Sequence, residues 1–133
     1  MKQELLHPEL SYQITGLCFK AHNILGRFAK EKQYCDLLEQ LLIKENIKYQ
    51  REVRIEFRLS NQNNDFIGGN IADFIIKDLI VIECKAKRFI VKDDYYQIQR
   101  YLEATNLKLG LIVNFRDRYL KPKRIINYSH HSH

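Results

Sequence analysis

No apolar run in this chain approaches the ~20 residues that a membrane-spanning helix needs, no two cysteines stand in C-x-x-C spacing, and no stretch repeats another. The first absence argues against a membrane protein. The polar start MKQELLHPEL also lacks the apolar segment of a secretion signal, so a cytoplasmic protein with no membrane partner is expected. The second absence leaves Cys18, Cys35 and Cys84, an odd number, far apart and each inside an apolar pattern. They read as buried reduced thiols and speak against a zinc site. No helix-turn-helix or zinc-finger pattern is present, so contact with a nucleic acid would rest on shape or strand ends rather than on base readout. Beyond the end SHHSH, whose His130, His131 and His133 are given no chemical role, there is no low-complexity segment.

What is present fits one ordinary domain over residues 1–133, with 1–8 and 129–133 as flexible ends. An apolar share of 45% with 29% charged residues excludes a disordered or fibrous chain. Lys and Arg outnumber Asp and Glu by 22 to 16, a formal charge of +6 that suits a polyanionic partner.

Periodicity divides the chain into elements. From Glu9, apolar residues at Leu10, Ile14, Leu17, Cys18, Ala21, Ile24 and Leu25 predict a helix capped by Ser11 and ending near Gly26. Tyr34, Leu37, Leu38, Leu41 and Leu42 predict a second, with Glu31 at its start and Asn46 as its stop. The period then becomes two: Val53, Ile55, Phe57 and Leu59 predict a strand with one face to the core. The Asn- and Gly-rich stretch 60–69 reads as a turn or loop. Ile71 to Ile76 and Leu79 to Lys85 read as two further strands of a meander, joined tightly at Lys77-Asp78. Asp93 or Asp94 caps a third helix running to about Thr105, with Tyr95, Ile98 and Leu102 buried and Asn106 as its stop. Leu109 to Phe115 predicts a buried central strand, and Arg124 to Tyr128 an edge strand after Pro122.

Within Ile71–Lys87 three charged residues interrupt the most apolar part of the chain, in the spacing D-x9-E-x-K: Asp73, Glu83 and Lys85. Charge on a strand buried on both faces is costly unless paired or metal-bound. Residues two apart on a strand face the same way, so Glu83 and Lys85 project together, and Asp73 reaches the same point if its strand is the hairpin neighbour. Two carboxylates at one spot repel unless a cation lies between them, and hard oxygen ligands favour Mg²⁺ or Mn²⁺, with the carbonyl of Cys84 as a further ligand. The chemistry such a site supports is metal-assisted phosphodiester hydrolysis, with Lys85 orienting or deprotonating the water and neutralising charge on the phosphate. The competing reading is an internal ion-pair set at a sheet edge, since E-x-K alone is common in strands.

The D-x9-E-x-K core, between a helical lead-in and a helix carrying Gln97 and Tyr101 in Q-x3-Y spacing, resembles the PD-(D/E)XK nuclease superfamily. More closely, the chain looks like the small prokaryotic GxxExxY proteins of that superfamily from about Leu10 to Phe115, through Ala21-His22, Leu25-Gly26, Glu31, Tyr34, the core, Gln97, Tyr101-Leu102, the segment Leu107 to Leu111, and Asn114-Phe115. It departs at Phe28, which stands where that family has its signature glycine; a residue tolerant of positive φ is lost there, and the loop is free to take another shape. The resemblance implies an α/β fold, a restriction-endonuclease-like mixed β-sheet core of four to five strands flanked by helices, in agreement with the element order above. It further implies that Glu31 joins Asp73 and Glu83 at the metal, that Gln97 supports the water or contacts DNA, and that Tyr101 lines the same groove.

Two basic clusters follow the apolar strands: Lys87, Arg88 and Lys92, then Arg116, Arg118, Lys121, Lys123 and Arg124. Charge runs are ordinarily solvated loops, but strand ends beside a metal site are where a phosphate backbone would lie. The expectation is a Mg²⁺-dependent deoxyribonuclease, with RNA as a second candidate substrate. Its rival is a nuclease-like module that binds nucleic acid or a partner protein without cleaving. A junction resolvase would use the same core and would need two sites, hence a homodimer.

Overall fold

The apolar stripes fold as expected in a computed structural model that describes residues 6–56 and 70–128. Ile14, Leu17, Cys18 and Ala21 lie buried along α1 (Pro8–Leu25), and Tyr34, Cys35, Leu38, Leu41 and Leu42 along α2 (Glu31–Lys44). Next come β1 (Tyr49–Arg54), β2 (Ile71–Ile76), β3 (Ile80–Lys85), α3 (Lys92–Thr105), β4 (Leu109–Asn114) and β5 (Lys123–Ile126). The strands form one mixed sheet in the order β1-β2-β3-β4-β5. β1, β2 and β3 make an antiparallel meander; three residues, 77–79, join β2 to β3, with Lys77 and Asp78 at positive φ (52° and 55°) inside a turn that the Leu79 N–H closes onto Ile76 O (2.9 Å). β3 and β4 run parallel because α3 carries the chain back across the sheet, and β5 closes the edge antiparallel to β4. No helix among the described residues is long and apolar enough to cross a membrane.

Helices cover both faces. Ile14, Cys18, Ala21, Tyr34, Leu38 and Leu42 pack with Phe74, Ile76, Ile80, Ile82, Cys84, Leu111 and Val113. On the opposite face Ile98, Tyr101 and Leu102 of α3 pack with Ala72, Ile75, Val81 and Ile112. The run IVIECK is thereby buried on both sides, which removes its alternation and explains why it reads as a continuous apolar segment.

The structure corrects several expected boundaries. Ser11 does not cap α1: Pro8 opens that helix after His7, and the buried Ser11 hydroxyl accepts from Arg124 Nη1 (2.8 Å). Residues 6–8 are not a loose end, since Leu6 packs against the core and its carbonyl accepts from Arg124 Nη2 (2.9 Å). Residues 1–5 and 129–133, with the terminal histidines, lie outside the described residues, as do Phe57, Leu59 and the expected turn at 60–69. β1 starts earlier than expected, at Tyr49. Its inward position is filled by Arg51, whose guanidinium lies over the Phe74 ring (5.8 Å) and pairs with Asp36 (2.8 Å) and Glu39 (3.0 Å), so a charged residue hides the period of two.

The connection from α1 to α2 is held by Tyr34. Its ring stacks on Phe115 (4.3 Å between centroids, 10° between planes), while its hydroxyl donates to Gly26 O and accepts from the Ala29 amide (3.2 Å). Tyr34→Phe keeps the stack and removes both hydrogen bonds, so it should lower the free energy of unfolding in urea by about 1–3 kcal/mol. An unchanged midpoint would show that the hydroxyl holds nothing.

Candidate active site

The β2–β3 ladder pairs Ile76 with Ile80, Ile75 with Val81 and Phe74 with Ile82, and there it stops. The next residues along each strand are Asp73 and Glu83. In place of backbone pairing, each side chain takes an amide of the other strand: Glu83 Oε2 accepts from the Asp73 N–H (2.8 Å), and Asp73 Oδ2 accepts from the Cys84 N–H (2.7 Å). The other neighbour of β2 also yields at this point. β1 pairs Arg51 with Phe74 and Val53 with Ala72, but Glu52, opposite Asp73 by count, is turned out of extended geometry at φ 54°. Asp73 thus stands at a gap in the sheet flanked by strands that are paired above it.

Both carboxyls hold their protons more tightly than usual. Burial lifts Glu83, only 4% exposed, to about 8, helped by the charge of Asp73. Burial likewise lifts Asp73 to about 6, opposed by the Cys84 amide and reinforced by the charge of Glu31. Glu31 sits at the first position of α2 with its side chain exposed. It acts on both carboxylates through its charge, and no hydrogen bond joins it to either among the described residues.

Lys85 leaves β3 on the face of Glu83, and α3 orients it. Its Nζ donates to Gln97 Oε1 (3.4 Å) and lies 3.8 Å from Asp94 Oδ1. Asp94 is the residue that sequence reasoning undervalued. It does not cap α3, which starts at Lys92 after Val91: from the third helical position it accepts the Val91 amide (2.8 Å) and also the Lys87 ammonium (2.9 Å), so one carboxylate anchors the helix start and both lysines. Asn114 fastens the same segment from β4. Its Nδ2 donates to Lys87 O (2.8 Å) and its Oδ1 accepts from the Lys87 amide (3.1 Å), pinning the chain that leaves β3. A polar residue closing an all-apolar strand was the signal for it, because a buried amide needs partners.

The remaining expected residues fall into three groups. Tyr101 does not line an open groove: it is fully buried beneath the site, its hydroxyl bonded to Ile71 O (3.3 Å) and its pKa pushed up to about 12 by burial, then by Glu83 and Asp73. An i,i+4 spacing from Gln97 placed it on the right helix but could not say that β2 covers it. Lys87 and Arg116 are engaged internally, Lys87 with Asp94 and Arg116 through the carbonyls of Arg27 (3.1 Å) and Ala86 (3.4 Å). Arg88, Lys92 and Arg118 are exposed. Phe28 takes no positive φ, since that turn is made at Gly26 (φ 74°), and α2 still begins at Glu31. Cys18, Cys35 and Cys84 are buried free thiols. The Cys35 and Cys84 sulfurs and a carboxylate oxygen of Asp73 lie within 4.8 Å of one another, a cluster created by packing α2 on β3 that no spacing in the sequence announces.

A family model described as the PD-(D/E)XK nuclease superfamily matches residues 8–126. No curated protein and no solved structure matches the chain.

The raised pKa values set the pH response of the metal-free fold. Both carboxyls bind protons more tightly when folded than their ordinary values of 3.8 and 4.5 allow, so the stability they contribute is complete below pH ~4 and is lost as pH rises through about 6 and about 8. In the presence of a chelator, Glu83→Gln should unfold at a higher temperature than the unaltered protein at pH ~8.5, the gap closing towards pH ~4.5. A gap that widens on acidification would reverse the assignment.

Proposed function

This chain belongs to the PD-(D/E)XK nuclease superfamily, and from that premise we propose that it is a divalent-cation-dependent hydrolase of DNA phosphodiester bonds. The observation that carries the proposal is the amide exchange at the end of the β2–β3 ladder, which holds Asp73 and Glu83 together at a sheet gap with Lys85 two residues on. Holding two buried carboxylates side by side is unfavourable for the ionised pair, as their raised proton affinity reflects, and a bound cation relieves it.

The donor chemistry fits Mg²⁺ or Mn²⁺. Asp73 and Glu83 would hold the ion through hard oxygens. The Cys84 carbonyl would join them, because N–H and C=O of one strand residue point to the same edge and the Cys84 N–H points to Asp73. Glu31 would add negative charge from α2. When bound, the ion neutralises a phosphate oxygen and lowers the pKa of the attacking water. Lys85 then donates to the phosphate oxygens and offsets charge that develops on them, and Gln97 fixes the Lys85 ammonium at the working distance. Tyr101 serves from below, filling the floor that keeps water away from the carboxylates.

Within the superfamily we assign the chain to the GxxExxY branch. The loop supports this despite Phe28, since Gly26 makes the positive-φ turn, Tyr34 closes it back onto Gly26 and Ala29, and α2 begins at Glu31.

Purified protein should cut DNA with Mg²⁺ or Mn²⁺, and Asp73→Asn, Glu83→Gln and Lys85→Ala should each lower the rate by ~10²-fold or more while the circular dichroism stays native. Calorimetric titration should detect Mn²⁺ binding that Asp73→Asn loses. Unchanged cutting in all three variants would sink the assignment, and a folded protein that binds DNA but neither Mn²⁺ nor Mg²⁺ would instead be a non-catalytic binding module.

A further inference from the structure

β3 and β4 run parallel, so the loops that leave their carboxyl ends meet at one end of the sheet, which is also the end where Asp73, Glu83 and Lys85 lie. Ile112 and Asn114 are the register partners of Glu83 and Lys85 on β4. Those same two residues line an open cleft of about 190 Å³ with Arg88, Phe89, Lys121 and Lys123, three cations against the one carboxylate of Asp117. The cleft thus begins one strand over from the carboxylates; Tyr95 of α3 lines it, while Gln97, on the opposite flank of that helix, meets Lys85.

Its rim is aromatic as well as basic. Phe89 is 67% exposed with the Arg88 guanidinium over its ring (5.6 Å). Tyr119, in the loop after β4, is 71% exposed beneath Arg118 (5.4 Å). Phe28, in the loop before α2, is 74% exposed between Arg27 (4.7 Å) and Arg116 (5.6 Å), and Arg116 ties that loop to the other two. A single exposed aromatic ring needs no explanation. Three, each with a guanidinium and each on a loop at the catalytic end, make a set of stacking platforms with cations in reach of a phosphate chain. Duplex DNA offers such rings little, because its bases are stacked inside the helix, whereas an unpaired base presents a free π face.

Resting on the phosphodiesterase reading of the neighbouring site, we propose that this cleft is a nucleotide subsite for an unpaired strand, with Phe89 stacking on a base and Arg88, Lys121 and Lys123 holding the flanking phosphates. The substrate class is thereby a single strand or a frayed end, delivered to Asp73 and Glu83 one strand away. The shared chemistry is a phosphodiester chain with unstacked bases, which single-stranded DNA and RNA both supply.

Fluorescence anisotropy of the full chain in EDTA, which stops hydrolysis, tests this with a single-stranded DNA oligonucleotide, the RNA of the same sequence and the DNA duplex. The unpaired strand should bind at least ~10-fold more tightly than the duplex, and the sugar with the higher affinity names the strand. Phe89→Leu should weaken single-strand binding by about 5- to 150-fold with duplex binding and the unfolding midpoint unchanged. Arg88→Gln should flatten the dependence of log K on log salt by about 0.7. Equal affinity for single strand and duplex, or a Phe89→Leu protein that binds like its parent, overturns the subsite. If the protein with Mn²⁺ cuts duplex DNA while Phe89→Leu changes nothing, the subsite fails and the hydrolase reading stands. If unpaired strands bind in a Phe89-dependent way and Mn²⁺ brings no cleavage, the hydrolase reading fails and the subsite stands.

Discussion

Two backbone amides that a β-ladder would ordinarily pair are instead taken by two carboxylates, and the arrangement of the candidate site depends on that exchange. A backbone N–H left unpaired in a sheet interior is costly. Here the amides of Asp73 and Cys84 are satisfied across the strands by Glu83 and Asp73. The sheet opens by one residue pair without leaving a donor unpaired, and both acids are held in place before any ligand arrives.

That exchange needs the rest of the fold around it. The strands must be antiparallel neighbours, which the Lys77-Asp78 turn enforces over three residue pairs. Both faces must be covered, by α1 and α2 on one side and α3 on the other, for the carboxyls to feel the desolvation that raises their proton affinity. α3 has a second duty. Asp94 and Gln97 in its first two turns reach Lys85, and Asp94 draws in Lys87 as well, so the crossover that makes β3 and β4 parallel also positions the lysine.

Much of this was legible beforehand because it is local. Apolar residues at helical spacing placed α1 and α2, the charged interruptions of Ile71–Lys87 marked the core, and Asn46 and Asn106 marked helix ends where the structure has φ of 57° and 60°. The misses have physical reasons. Arg51 occupies an inward strand position because its stem covers Phe74 and two acids of α2 pair its head, and no alternation count recognises an arginine as inward. Ser11 looked like a cap because serine favours that position, yet Arg124 recruits it from the far end of the chain. Tyr101 looked like a groove residue because its face of α3 was assigned from Gln97, before the cover provided by β2 was known.

The residue order by itself determined the element types, the acid and base positions that share one strand, and the excess of positive charge, since each follows from periodicity and composition over a few residues. Tertiary structure alone decided which charges are engaged: Lys87 pairs with Asp94 and Arg116 with a backbone carbonyl, while Arg88 and Arg118 stay on exposed aromatic rings. It also decided that Cys35 and Cys84 flank Asp73, and that three loops distant in sequence meet at the carboxyl end of β3 and β4. Such contacts are set by strand register and by the direction of the α3 crossover, and neither is written in the spacing of any single segment.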